Sequence, residues 1–274
     1  MKIIISHDVD HLQSSDHIFR DLIIEKFWIR AFLHLTQRKI SGRTFVNRIK
    51  YPFLKRYERI QEVMETDRAN GIPSVFFFGV ERGLGMSYGK RKVKRYISQV
   101  DKAGFDIGIH GIAYEEFEQM KKEHDAFEEI AGISSFGIRM HYVRYVPDTF
   151  KKLADIGYIY DTTEFDKSGK KFRKPYKVGN MWEFPLLIMD GYILKNKSLD
   201  QGIIATQRAI KQAEKEGVPY CTILFHDYLY NKACFPMEYN WYKRLIKYLT
   251  QNHYEFISYN NAIKELEETY SDGF

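Results

Sequence analysis

The chain has 274 residues, 44% of them hydrophobic, and a formal net charge of +6, which suits one large α/β domain with a substantial core. The positive charge allows an acidic partner such as an anionic glycan or a phospholipid surface, but no Lys- and Arg-rich run predicts a nucleic-acid tail. We expect a soluble protein of the cytoplasm for three reasons. The two cysteines have no metal-ligand spacing, the N-terminal region has no signal-peptide core, and no run of about 20 apolar residues occurs.

The first predicted strand ends in a cluster of acids and imidazoles. Residues 3–11 read IIISHDVDH, so three β-branched residues lead directly into polar ones. Because side chains alternate along a strand, Asp8 and Asp10 point to the same side and His7 points away from Asp8. Two neighbouring carboxylates repel each other unless a cation or a shared proton lies between them. The run is either a solvated strand end or, as the flanking His7 and His11 favour, a metal or catalytic site.

A basic segment follows, and its spacing predicts helices over about 16–70. A break is expected near Ser41, and Pro52 is expected to start another helix that Gly71 ends. The segment is either an arm that lies on a membrane or grips an anionic substrate, or an amphipathic helical insertion with a solvated face. Its basic residues include Arg30, Arg38, Lys39, Arg43, Arg48, Lys50, Lys55, Arg56 and Arg59.

From residue 72 onward, strands and helices alternate. The predicted strands are 74–79, 105–111, 136–145, 158–161, 182–190, 220–227 and 254–259. The predicted helices are 90–103, 115–130, 147–157, 199–216, 237–252 and one after the last strand. This pattern predicts an α/β fold, a single distorted parallel (β/α) barrel of seven or eight strands with a helical insertion after the first strand, as one domain spanning 1–274. An open doubly wound sheet is the alternative, although no Gly-x-Gly-x-x-Gly turn follows the first strand to support dinucleotide binding.

Polar residues recur at the predicted strand ends, which converge on one rim of a barrel. One carboxylate with two imidazoles is a common donor set for zinc or another divalent metal. A second carboxylate can take a proton from water, and a further histidine can protonate a leaving group, as in hydrolases of amides and esters. The residues at these ends are Asp8, Asp10, His110, Arg139, His141, Asp161, Asp190 and His226.

At five places the chain resembles the polysaccharide deacetylases, the carbohydrate esterase family 4 that includes nodulation-factor deacetylases. It is most similar to a divergent branch associated with surface polysaccharide and O-antigen. The matching segments are SHDVD at 6–10, IGIHG at 107–111, GIRMHYVRY at 137–145, EFPLLIMD at 183–190 and LFHD at 224–227.

The resemblance implies a role for each matching residue. Asp8 takes the place of the general base and Asp10 that of a metal ligand, although in most of the family the two aspartates are adjacent. His110 matches a metal-ligating histidine and His226 the general acid. Arg139 resembles the arginine that holds the base. The polar residues in or beside the remaining segments are predicted substrate contacts, namely Arg144, Asp161, Glu183 and Asp190.

One position departs from the family pattern. A second metal-ligating histidine is expected four residues after His110, where this chain has Tyr114. A phenol with a pKa near 10 is a poor zinc ligand at neutral pH. Either His141 supplies the third ligand, or the metal is bound weakly, or it has been lost. We favour His141, because it is predicted to share a strand face with Arg139.

The sequence thus predicts a metal-dependent carbohydrate deacetylase with zinc as the expected metal. Its expected substrate is an N-acetylated sugar of a surface-polysaccharide or O-antigen precursor, carried on a lipid or a nucleotide. Contact with a membrane surface stays open, and no nucleic-acid partner is expected. The alternatives are a catalytically silent member that binds glycan or a partner protein, and a hydrolase of small amides on the same barrel.

Overall fold

A curled, mostly parallel sheet carries the structure, a computed structural model that describes residues 1–17 and 22–271. Within these residues nine strands lie in the order β6-β7-β5-β4-β3-β2-β1-β9-β8, and the β6–β7 pair is antiparallel. The sheet forms a half-barrel, which confirms the predicted barrel class with nine strands instead of seven or eight. The strands are β1 Lys2–Val9, β2 Val75–Phe78, β3 Asp106–Gly111, β4 Gly137–Met140, β5 Tyr160–Asp161, β6 Tyr176–Val178, β7 Met181–Glu183, β8 Ile188–Met189 and β9 Tyr220–Leu224.

Helices cover the sheet and form the segment inserted after β1. They are α1 Ile23–Thr36, α2 Gly42–Lys50, α3 Ile60–Ala69, α4 Lys90–Lys102, α5 Phe117–Ala131, α6 Thr149–Ile156, α7 Asp190–Ile193, α8 Leu199–Lys215, α9 Pro236–Gln251 and α10 Tyr259–Ser271. Short 3-10 turns occur at 14–16, 51–53, 141–143 and 227–229. No helix in the described ranges is long and apolar enough to cross a membrane.

Strand β1 lies inside the sheet because its apolar run is buried on both faces. It pairs in parallel with β2 on one side and with β9 on the other. Ile3, Ile4 and Ile5 have almost no exposed surface, as expected for a central strand covered by helices on each side. The polar end of β1 therefore emerges between the ends of two neighbouring strands.

Four predicted element boundaries are wrong. The predicted strand 182–190 divides into β7 and β8, which lie toward opposite ends of the sheet. Pro52 lies in a 3-10 turn, and the next helix begins only at Ile60, after an isolated antiparallel bridge between Arg56 and Gln13. The segment 254–259 contributes an isolated bridge, Ile3 to Phe256, instead of a strand. Part of the predicted insertion, residues 18–21, lies outside the described residues.

The fourth boundary affects the site directly. The predicted strand 136–145 ends at Met140, and His141 starts a 3-10 turn. Tyr142 and Val143 have φ values of 60° and 48°, a left-handed backbone that cannot continue a pleated strand. The prediction that His141 shares a strand face with Arg139 is therefore wrong, because the chain has already turned.

Candidate metal and catalytic site

The parallel sheet brings the polar ends of β1, β3 and β4 side by side. Asp8 lies near the end of β1, and Asp10 directly follows that strand. His110 lies in β3 beside Arg139 of β4, with which it is in register. His226 follows β9 by two residues. Residues from opposite ends of the sequence thus meet at one edge of the sheet, as expected at carboxyl ends of parallel strands.

Asp10, His110 and His141 form a compact triad of potential metal ligands. Asp10 Oδ1 lies 3.3 Å from His110 Nε2 and 3.4 Å from His141 Nδ1. The two ring nitrogens are 3.0 Å apart. Ligands held about 2.0–2.1 Å from a tetrahedral zinc lie roughly 3.3 Å from one another. The triad therefore has dimensions that suit one small divalent cation.

The hydrogen bonds of the two imidazoles determine which ring nitrogens carry protons. His110 Nδ1 faces the carbonyl oxygen of Arg139 at 3.0 Å, and His141 Nε2 faces that of Leu84 at 3.2 Å. A ring nitrogen next to a carbonyl must be the one that donates. When both rings are neutral, the lone pairs of His110 Nε2 and His141 Nδ1 therefore point at each other and at Asp10. Such an arrangement requires a proton or a cation among the three groups.

The charge states of Asp10 and His141 suit metal ligands, whereas Asp8 and Asp10 raise the pKa of His110 against the effect of burial. Burial alone would raise the pKa of Asp10, but the nearby His141 and His110 lower it well below its ordinary value. Burial lowers the pKa of His141 to about 4, so its imidazole is neutral at neutral pH. Asp10 Oδ1 is buried and has no hydrogen-bond partner among the described residues. A buried carboxylate oxygen without a partner, beside a neutral imidazole, is a suitable ligand for a divalent cation.

Asp8 is held by Arg139 next to the triad. Arg139 Nη1 donates to Asp8 Oδ1 at 2.8 Å, and Nη2 donates to Ser6 Oγ at the same distance. Arg139 is fully buried, and its guanidinium carbon lies 4.7 Å from the centre of the Phe77 ring. Burial would raise the pKa of Asp8, but the charges of His110 and Arg139 keep it below the ordinary value. Asp8 is therefore ionised at neutral pH, with its other oxygen 3.6 Å from His110 Nε2.

His226 faces the triad from the opposite side and is held by Asp190. Its Nδ1 donates to Asp190 Oδ2 at 2.9 Å, and its backbone N–H donates to the same oxygen at 2.7 Å. Burial lowers the pKa of His226, but the charge and hydrogen bond of Asp190, together with the charges of Asp10 and Asp8, outweigh burial and raise this pKa to about 10. The other ring nitrogen, Nε2, lies 3.7 Å from Asp10 Oδ2. His226 thus presents a protonated imidazole to the space beside the triad.

The four residues predicted to contact substrate have different surroundings. Asp161 and Glu183 are fully buried and face each other across β5 and β7, so neither presents surface to a ligand in this structure. Asp190 is 1% exposed and holds His226. Arg144 is half-buried with its guanidinium carbon 4.6 Å from the centre of the Tyr114 ring. Tyr114 is thereby packed against Arg144 and is not part of the triad.

His7 faces away from Asp8, as the strand alternation predicted. Its Nε2 lies 2.8 Å from Asp67 Oδ2, and its Nδ1 lies 2.9 Å from the carbonyl oxygen of Phe225. Tyr242 donates to the other oxygen of Asp67. His7 therefore belongs to a buried network that attaches α3 and α9 to β1.

Sequence reasoning missed two residues that support the triad. The carbonyl oxygen of Leu84 accepts from His141 Nε2 and from the Tyr142 hydroxyl. Glu123 accepts from the backbone N–H groups of Ile112 and Ala113, which fixes the loop that follows His110. A carbonyl leaves no trace in side-chain patterns, and Glu123 reads as an ordinary acid of an amphipathic helix.

Neither a protein-family model nor a curated protein matches the sequence, but solved structures match the fold. A protein from Mycobacterium smegmatis described as a polysaccharide deacetylase aligns with a TM-score of 0.64 and 14% identity, over 97% of this chain and 90% of that one. The PuuE allantoinase aligns with a TM-score of 0.60 and 14% identity, over 95% and 87%. A protein from Pseudomonas aeruginosa PAO1, also described as a polysaccharide deacetylase, gives 0.59 and 13%, over 95% and 88%. The chain therefore has the fold of the polysaccharide deacetylases that its motifs resemble.

Proposed function

We propose that the chain is a metal-dependent deacetylase that hydrolyses the N-acetyl group of a sugar in a surface-polysaccharide precursor such as one for O-antigen. The observation that carries the proposal is the triad Asp10, His110 and His141, with a buried carboxylate oxygen that has no hydrogen-bond partner among the described residues. Asp8 and His226 flank the triad in complementary charge states. Two free, buried cysteines fit a protein acting in the cytoplasm.

The triad supplies the ligands of the metal. One carboxylate and two imidazoles leave a position open for substrate and match zinc best. Zinc in such a site polarises a carbonyl group and lowers the pKa of water. His110 and His141 are held in the required tautomers by the carbonyl oxygens of Arg139 and Leu84. The protein thus fixes the ligand directions before a metal binds.

Asp8 and His226 move the protons of the proposed reaction. Asp8 is ionised and accepts a proton from the water that adds to the acetyl carbon. Arg139 keeps this carboxylate charged and oriented. His226 is protonated at neutral pH and donates its Nε2 proton to the sugar nitrogen as the C–N bond breaks. The products are acetate and a free amino sugar, and Asp190 holds His226 in position throughout.

The test is acetate release from N-acetylhexosamine conjugates, free, nucleotide-linked and lipid-linked, by protein reconstituted with zinc. Removal of a general base or acid costs about 100-fold to 10,000-fold in rate, so Asp8→Asn and His226→Asn should each lose at least about 100-fold in kcat/KM. Asp125→Asn changes an exposed carboxylate of α5 and serves as the control. Unchanged turnover in Asp8→Asn would rule out the assignment.

A catalytically silent glycan-binding or partner-binding member is the second candidate, because Tyr114 stands where the family has a ligand histidine. Wild-type protein that binds the sugar conjugate but releases no acetate with zinc, manganese or cobalt would support this candidate. Hydrolysis of small amides in place of sugar conjugates would support the third candidate, a hydrolase of small amides. The same substrate panel therefore separates all three.

A further inference from the structure

The positive charge of the protein is concentrated in residues 22–59, which are part of the predicted insertion of about 16–70 and are called the insertion from here on. It contains ten Lys and Arg residues and two Glu residues, a net charge of +8, so that the rest of the chain carries −2. Most of the basic side chains are exposed, whereas Glu58 is buried. The exposed ones are Lys26, Arg30, Arg38, Lys39, Arg43, Lys50, Lys55 and Arg56.

The insertion also carries most of the exposed large apolar side chains. Of the eleven found among the described residues, seven belong to the insertion. Two others, Leu84 and Tyr142, lie in the loops that hold His141. The seven, with their exposed fractions, are Leu22 65%, Ile29 61%, Phe32 58%, Leu33 48%, Val46 47%, Phe53 76% and Leu54 41%.

Helix α1 is apolar on two sides, and one of them faces solvent. Ala31 is buried, and Phe27 packs against Tyr51 with 5.1 Å between ring centroids. On the exposed side, Ile29, Phe32 and Leu33 follow the three- and four-residue spacing of one helical face. Packing among the described residues accounts for the first side and leaves the second uncovered. Exposed apolar patches on soluble folds mark surfaces that bind something.

We infer that the insertion is a docking surface for a membrane that contains anionic lipids. An apolar stripe surrounded by Lys and Arg is the pattern of helices that lie in the interface of a bilayer. The basic side chains match the negative headgroups of such a membrane. A protein partner fits less well, because Lys is depleted from the cores of protein interfaces.

The insertion contacts both sides of the candidate site. A Cβ added at Gly85 would lie 3.0 Å from Ile23 Cδ1, so α1 touches the loop whose Leu84 carbonyl holds His141. On the other side, Arg48 donates to the carbonyl oxygen of Cys234 at 2.7 Å, in the segment that follows His226. Docking through this surface would therefore bring two segments that adjoin the candidate site close to the membrane.

The test is sedimentation of the full-length protein with lipid vesicles. One set contains phosphatidylcholine alone. The other contains phosphatidylcholine with about 30% phosphatidylglycerol, which supplies the anionic headgroups. The wild-type protein should bind the anionic vesicles at least about tenfold more tightly, and added salt should weaken the binding.

Two variants and two matched controls complete the test. Ile29→Ser with Phe32→Ser removes exposed apolar surface, and its control is Ile204→Ser, an exposed position on α8. Arg38→Glu, Lys39→Glu and Arg43→Glu reverse three charges of the insertion. The control for this variant reverses three exposed charges of α4, by Arg91→Glu, Lys94→Glu and Arg95→Glu.

The insertion variants should each lose at least about tenfold in vesicle affinity, whereas both controls should change less than about twofold. All replaced side chains are exposed, so circular dichroism should show an unchanged fold. Binding that is equal for both vesicle types, or that survives the insertion variants, would overturn the inference. Concentration-dependent self-association without vesicle binding would do the same and would assign the surface to a second copy of the chain. None of these outcomes depends on deacetylase activity.

Discussion

Arg139 shows how one residue links the fold to the candidate chemistry. Its guanidinium donates to Asp8, Ser6 and the carbonyl oxygen of Thr162, all in the protein interior. Burial would lower the pKa of Arg139, but Asp8 reverses this effect and raises it. Each member of the pair therefore keeps the other charged inside the protein.

Replacement of Arg139 by methionine should leave the charge of Asp8 buried without its partner. Loss of one member of a buried ion pair costs about 3–5 kcal/mol, so urea unfolding of Arg139→Met should show a decrease of that size. The double variant with Asp8→Asn should recover most of the loss, because the orphaned charge is then absent. An Arg139→Met protein as stable as the wild type would show that the pair does not matter for stability.

Asp161 and Glu183 form a second buried pair, in this case of like charge. Asp161 Oδ2 and Glu183 Oε2 have no hydrogen-bond partner among the described residues, which fits a proton shared between them. Burial raises the pKa of Asp161 to about 6. Burial and the charge of Asp161 raise the pKa of Glu183 well above its usual range.

This pair should make stability decrease as pH rises. A carboxyl group with a raised pKa binds its proton more tightly in the folded state, so its contribution is complete below the unfolded pKa near 4. For Asp161 the contribution is lost as pH rises through its folded value of about 6. Glu183→Gln removes the repulsion between the two carboxyl groups. The free energy of unfolding of this variant, minus that of the wild type, should therefore increase from pH 4 to pH 7. A difference independent of pH would exclude the shared proton.

At the scale of residues, the sequence predicted the polar strand ends and, through the family resemblance, the contact of Arg139 with Asp8, but not the contact that supports His226. Asp8, Asp10, His110 and His226 stand at ends recognisable from apolar runs that stop abruptly. The partner of Asp190 was not predictable, because its contact with His226 joins residues 36 positions apart through the pairing of β8 and β9. Long-range contacts of this kind follow from the assembled sheet.

At the scale of elements, periodicity predicted helices better than short strands. Helix α4 ends within one residue of the prediction, because its apolar spacing is regular and Gly104 follows it. Strand β4 ends earlier than predicted, because the left-handed backbone at Tyr142 has no signal in the sequence. His141 belongs to the triad although it lies outside the strand, because the turn places its ring beside that of His110.

Close packing between β4 and β5 gives a prediction at this scale. A Cβ added at Gly137 would lie 2.1 Å from the ring of Tyr160, which is itself stacked on Tyr259 with 4.4 Å between centroids. Gly137→Ala should therefore cost at least about 1–3 kcal/mol, the usual cost of overpacking a core.

Gly191 is the matched control for that substitution. A Cβ added there meets no atom within 4 Å, and the residue lies in helix α7. Gly191→Ala should be neutral or stabilising by about 0.4–1 kcal/mol. Equal stability of the two alanine variants in urea unfolding would show that Tyr160 moves aside at little cost.

At the scale of the whole molecule, the sheet brings residues that are distant in sequence together at the candidate site. The three triad residues are more than 100 positions apart at the extremes, and the order β1, β2, β3, β4 brings them within 3.4 Å of one another. The sequence predicted the alternation that produces this sheet. It did not predict that the curled sheet remains open as a half-barrel. The two edges of the sheet are the short strands β6 and β8, which are difficult to recognise in the sequence.

Calorimetric titration of chelator-treated protein with zinc tests the central claim most directly. The wild type and the Asp125→Asn control, which changes one of three other possible ligands, His124, Asp125 and Glu128 of α5, should each bind one equivalent of zinc. His141→Ala should lose at least about tenfold in affinity, because it removes one of three protein ligands. Zinc binding that is absent from the wild type, or unchanged in His141→Ala, would contradict the account.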